Sequence, residues 1–98
     1  MGNRKVYLDG HIDVPLERIA AVTAGLAEHV ALTRAEPGCL SFEVLPSATV
    51  AGRFMVSEVF SDRAAFEAHQ QRARQSPWFA LTEGIVRDYT IRSGGEAL

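Results

Sequence analysis

Residues 4–13 alternate: Val6, Leu8, Gly10 and Ile12 point one way, and Lys5, Tyr7, Asp9, His11 and Asp13 the other. A period of two with one apolar side predicts a half-buried strand. Gly10 within it marks a bulge or a close approach of another backbone. Pro15 stands where a first helical residue tolerates proline, and Glu17 suits a first turn. Leu16, Ile19, Thr23, Leu26 and Val30 then recur at helical spacing, predicting a helix to about Ala35 with these side chains inward. Glu36-Pro37-Gly38 reads as a stop and turn. Leu40, Phe42 and Val44 alternate with Cys39, Ser41 and Glu43, a second strand over residues 39–45. The small, polar segment Pro46 to Gly52 reads as a hairpin loop.

A third strand is expected from Arg53 to Phe60, with Phe54, Val56 and Phe60 on one side and Met55 and Val59 on the other. A small antiparallel sheet normally keeps one face wet. A strand apolar on both sides calls for two covers: the helices on one side, and most simply a second copy of the sheet on the other. Asp62 or Ser61 caps the next helix, which runs to about Arg74. Ser76-Pro77 opens a short helix that Gly84 ends, and Val86 to Ile91 is the last strand. Ser93-Gly94-Gly95 opens a tail expected to fray, leaving an ordered core of about residues 4–92 in a single domain, 1–98. The order strand, helix, strand, strand, helix, short helix, strand is the split β-α-β pattern of the ferredoxin-like α+β sandwich. That fold hosts many functions, so function has to come from a site.

Composition narrows the classes. At 98 residues with a formal net charge of -2, the chain shows no basic stripe for nucleic acid or an anionic membrane. No apolar run approaches the ~20 residues of a membrane span. Met1 to Val6 lacks the apolar core of a signal peptide, and position 6 lacks the Ser or Thr of a myristoylation signal. One cysteine, Cys39, excludes an internal disulfide, and the expected compartment is the cytoplasm. The histidines at positions 11, 29 and 69 have no metal-ligand spacing, so no metal is expected. No phosphate-cradling glycine loop and no nucleophile elbow is present.

His69 is the leading candidate for chemistry. It follows Phe66 by three residues and Ala65 by four, so an imidazole that titrates near neutrality is aimed at the core. Its role is either a general base or a core histidine bonded to backbone or to Glu58. Glu58 interrupts the apolar third strand on the face of Phe54 and Phe60. A carboxylate there must be paired or hydrogen-bonded, whether to orient His69, to bind a ligand hydroxyl or to form a structural ion pair. Trp78 and Phe79 are candidates for an aromatic pocket wall, or plain core. Tyr7 and His11 lie on the more polar side of the first strand, where Tyr7 is a phenol donor if that side meets a cavity. Arg87, near Tyr89, is a candidate anchor for an anion. His29 flanks the apolar stripe of the first helix and reads as a surface or boundary residue.

The chain resembles the antibiotic biosynthesis monooxygenase family, including its quinol monooxygenase-like members. The resemblance is carried by Glu36-Pro37-Gly38-Cys39-Leu40 and Phe42-Glu43-Val44-Leu45, then by Arg53-Phe54, Glu58, Phe60, Asp62, Ala65 and His69 in order and spacing. It implies a dimeric α+β barrel, two subunits packed sheet to sheet as a homodimer, with a cavity in each subunit between sheet and helices. It implies oxygenation of a small aromatic, quinol or enolisable substrate without any cofactor, His69 and Glu58 serving catalysis. Tyr7, Phe66, Trp78, Phe79 and Arg87 would bind the substrate. A haem-degrading branch uses an Asn, a Trp and a His where Tyr7, His69 and Thr82 or Glu83 fall here, so haem is not expected. Another branch isomerises a small phosphorylated metabolite with a His acid–base. An isomerase and a non-catalytic ligand-binding module therefore stand as the alternatives.

Overall fold

A computed structural model describes residues 4–93; the expected frayed tail beyond Ser93 lies outside the described residues. Strands β1 (Val6–Asp13), β2 (Cys39–Pro46), β3 (Arg53–Phe60) and β4 (Val86–Ser93) form one antiparallel sheet in the order β2-β3-β1-β4. Helices α1 (Ile19–Arg34), α2 (Arg63–Arg74) and α3 (Pro77–Leu81) complete the ferredoxin-like α+β fold. No described helix is long and apolar enough to cross a membrane.

The period of two decides which side chains reach the core. Val6, Leu8 and Ile12 on β1 stand opposite Phe60, Glu58 and Phe54 on β3, and all six are buried. The intervening residues Tyr7, Asp9, His11 and Asp13 pair with Val59, Ser57, Met55 and Arg53 on the reverse face. On that face Met55, Leu45 and Val86 are exposed, so β3 carries apolar residues on both sides as read, but its second side is open.

Gly10 causes no bulge in the β1 register; its lack of a side chain is instead needed because a Cβ there would overlap the Asp88 carbonyl of β4. Asp62 caps α2, its Oδ1 accepting from the Ala65 N–H at 2.8 Å.

The first helix departs from expectation. Pro15 precedes one 3-10 turn (Leu16–Arg18), and α1 begins only at Ile19. Leu16 is 73% exposed, and Thr23 is exposed too. The buried face of α1 is Val22, His29 and Thr33, with Ile19 and Leu26 partly buried beside them. The tighter 3-10 turn breaks the phase between Leu16 and the α-helix, so counting from Leu16 rotates the stripe off the true face. His29, expected at a boundary, sits in the centre of that face.

Candidate active site

Between the helix-facing side of the sheet and the helices lies a cavity of about 170 Å³. Leu8 and Glu58 form its floor, with Tyr89 and Arg87 of β4 at one side; His69 of α2, His29 of α1, and Trp78 and Phe79 of α3 form the cover. A smaller space of about 30 Å³ adjoins it between Ile12, Phe42, Val44 and Val56 and shares Glu58, His29 and Trp78.

His69 reaches this wall because α2 presents Phe66 and His69 on its buried side. Its Nδ1 lies 2.9 Å from Oε1 of Glu36. The other oxygen of Glu36 accepts from the Arg72 guanidinium, which also donates to Thr33 Oγ1 at 3.0 Å. A carboxylate held by an arginine is an acceptor, so Nδ1 carries the proton and Nε2 keeps its lone pair. That nitrogen lies 3.9 Å from Glu58 Oε1, too far for a direct hydrogen bond.

The turn that delivers Glu36 depends on Gly38. Its φ is +85°, and an added Cβ would stand 2.5 Å from the Ala65 Cβ and 2.8 Å from Ser61 Oγ. A residue other than glycine there is strained by its backbone and by its neighbours. The Gly38 carbonyl accepts from the Ser61 N–H at 2.8 Å, pinning the turn to the start of α2.

Burial sets the protonation states. Glu58 is 7% exposed and its Oε1 has no hydrogen-bond partner among the described residues. Loss of solvation, with a smaller push from the Glu36 charge, raises its carboxyl to about 7. Burial lowers His69 below the ordinary histidine value; Glu36 pulls it part of the way back, and Arg72 pushes it further down. Burial, then the His69 and Arg72 charges, bring His29 down to about 3. Near neutral pH the cavity thus offers a neutral imidazole beside a carboxyl divided between its two forms.

Aromatic rings hold these groups in place. His29 stacks on Trp78 with centroids 4.7 Å apart and planes 8° apart. His69 stacks on Phe60 at 5.0 Å and meets Phe42 at 5.6 Å. Arg87 donates to Thr82 Oγ1 at 2.8 Å and to the Ile85 carbonyl at 3.2 Å, and burial pushes the Tyr89 phenol up.

His69, Glu58, Trp78, Phe79 and Arg87 are therefore brought together. Tyr7 and Phe66 are not. Tyr7 lies on the reverse face of the sheet, with the Arg92 guanidinium 4.8 Å above its ring; its parity on β1 is opposite to that of Leu8, which lines the cavity. Phe66 packs edge-on against Phe60 at 5.8 Å in the core, one turn from the cavity wall. The space beside His69 is open, not packed solid by Trp78 and Phe66. Glu36 and His29 were not expected at the site. The spacing Ile19, Val22, Leu26, His29, Thr33 is itself a clean helical stripe and marks His29 once α1 is counted from Ile19. No signal of this kind marks Glu36, whose partner is 33 residues away. Among the described residues, no group of three or more His, Cys, Asp or Glu is placed to hold a metal ion.

Solved structures share the fold. A protein from Nitrosomonas europaea, provisionally assigned as an antibiotic biosynthesis monooxygenase, superposes with a TM-score of 0.82 at 22% identity, covering 96% of this chain and 92% of its own. A conserved Bacteroides thetaiotaomicron protein of unknown function gives 0.80 at 18% identity, covering 93% and 98%. A variant of SnoaB, a cofactor-independent oxygenase from Streptomyces nogalater, gives 0.73 at 17% identity, covering 90% of each chain. No curated protein sequence matches the chain significantly. The model of the antibiotic biosynthesis monooxygenase family matches residues 6–80, which span β1 through most of α3, and the chain belongs to that family.

Proposed function

We propose that the protein is a cofactor-independent monooxygenase of a single-ring phenol, quinol or similarly enolisable substrate. The observation that carries this reading is His69: Glu36 holds its Nδ1, and its free nitrogen shares the cavity wall with a buried carboxyl. A dry cavity of roughly 150 Å³ suffices for benzene. A volume of about 170 Å³ therefore suits one substituted ring and is tight for several fused rings.

The chemistry follows from those groups. A substrate hydroxyl about 2.8 Å from both His69 Nε2 and Glu58 closes a triangle on their 3.9 Å separation. Nε2 takes the hydroxyl proton, and the electron-rich ring carbon then bonds to dioxygen. The proton returns to the peroxide. Loss of the C–H proton from the same carbon breaks the O–O bond, leaving a carbonyl and releasing the second oxygen as water. Protonated Glu58 supplies the departing hydroxide and is recharged by the C–H proton. The substrate provides every electron, so dioxygen is the sole co-reactant. SnoaB, the cofactor-independent oxygenase with the same fold, supports this reading as an analogy. The same reading makes the open sheet face the seam of a homodimer and the cytoplasm its workplace.

Oxygen uptake with a panel of small hydroquinones and enols tests the proposal. Uptake should fall by about 10²–10⁴ in His69→Ala. Uptake unchanged by that substitution removes His69 from the mechanism. Arg74 and Arg87 on the cavity wall favour a second reading, an isomerase of an anionic metabolite; Arg72 does not line the cavity and is bound to Glu36. Substrate turnover under nitrogen would select that reading.

A further inference from the structure

The acid–base pair of the proposed reaction leaves His29 without a task. Its residue is 5% exposed, yet its Nδ1 has no hydrogen-bond partner among the described residues. A buried polar atom without a partner carries its desolvation penalty uncompensated, and a phenyl ring would fill the same space without that cost. The surroundings favour an apolar ring: Trp78 stacks on one face, and Phe42 meets the edge at 5.5 Å. The ring lines both the larger cavity and the small space behind it. Its centroid is 6.0 Å from that of His69, so the two imidazoles stand side by side on the wall of the same cavity.

Resting on the reading of this cavity as a phenol or enol site, we propose that His29 is a further catalytic residue. It donates a hydrogen bond to the substrate oxygen and stabilises the oxyanion formed when His69 takes the proton. The Trp78 stack fixes the donor before the substrate arrives, so no reorganisation accompanies the charge as it develops. The two histidines divide the work. His29 is held near 3 by burial and by the charges of His69 and Arg72, so it stays neutral even when His69 becomes an imidazolium. It does not compete with His69 for the proton, and as a neutral imidazole it keeps an N–H to donate.

Three proteins and an optical probe test this: wild type, His29→Phe and His29→Gln, with 4-nitrophenol, whose absorbance reports its ionisation. Below the probe's own pKa, wild type should bind it as the phenolate. His29→Phe keeps the ring stack, so a merely structural His29 predicts equal or higher stability with ionisation unchanged. The proposal predicts the same stability but a loss of about tenfold or more in the bound phenolate-to-phenol ratio, and kcat lower by about 10²–10³. His29→Gln, which restores a neutral donor, should recover part of both. Equal ionisation in wild type and His29→Phe overturns the proposal, as does failure of wild type to bind the probe. Phenolate stabilisation that depends on His29, with no oxygen uptake from any substrate, upholds this inference and removes the oxygenase reading. Undiminished oxygen uptake in His29→Phe does the reverse.

Discussion

Each buried titratable residue of the site is defined by what it lacks or holds. Glu36 holds His69, so it acts as a positioning residue, and its charge favours the imidazolium. Glu36→Gln keeps an acceptor but loses that charge. The expected outcome is a kcat lower by about 10²-fold and an acid limb of kcat/KM moved to lower pH, since His69 without Glu36 holds its proton less tightly. A defect in folding alone would lower the plateau and leave the limb in place. Glu58 makes a separate, thermodynamic prediction. Its folded value of about 7 lies above the ordinary glutamate value of 4.5. The folded state therefore binds the extra proton between those values, and stability contributed by the neutral acid is lost as pH rises through about 7. Glu58→Gln should be more stable than wild type above that pH, by on the order of 3 kcal/mol, and nearly equal to it below pH 4.5. Urea denaturation at both ends of the range measures the difference; a constant offset would show that Glu58 is solvated. His69 and Glu58 were legible because each breaks an apolar pattern at a counted position. Glu36 was not, because a turn residue discloses its partner only when the chain has folded back on itself.

Among the elements, the turn from α1 to β2 does the most for the site. It carries Glu36 to α2 only because Gly38 adopts a positive φ against Ala65 and Ser61. Gly38→Ala should destabilise the protein by about 1–3 kcal/mol. It should also weaken activity in the manner of Glu36→Gln, with the same shift of the acid limb, because both release His69. Chemical denaturation and the pH profile of the one variant check both halves; a stability loss with an unmoved limb would show that the turn yields without releasing Glu36. The strands and α2 were readable in advance because their signals are local: alternation for β1 to β3 and the Asp62 cap for α2. The face of α1 was not, since a single 3-10 turn at Leu16–Arg18 shifts the helical phase, and nothing in the local pattern separates Leu16 from the stripe it precedes. That one displacement hid Val22 and His29 together.

For the molecule as a whole, the sheet divides two jobs between its faces. The helix-facing side spends its apolar residues on a small core and opens a cavity where Glu58, Tyr89 and Arg87 replace them. The reverse side has no covering element among the described residues, and Leu45, Met55 and Val86 stand 57%, 46% and 64% exposed on it. Charges are interleaved with them: Asp13 is clasped by Arg53 at 2.8 and 3.1 Å, and Asp9 lies 3.6 Å from Arg92. A homodimer formed through this face, as proposed, would bury the three apolar side chains together with these charge pairs. The proposed homodimer accordingly places β3 of two subunits near its centre. Met55→Glu sets a charge beside Leu45 and His11, its neighbours across the sheet, where association would have to desolvate it. Light scattering should report a dimer for wild type and a monomer for Met55→Glu at micromolar concentration. Because the cavity lies on the opposite face, 4-nitrophenol should still bind the monomer. A wild-type protein that is already monomeric would show that β3 bears its second apolar side without a partner, and would leave the cavity chemistry to stand on a single subunit.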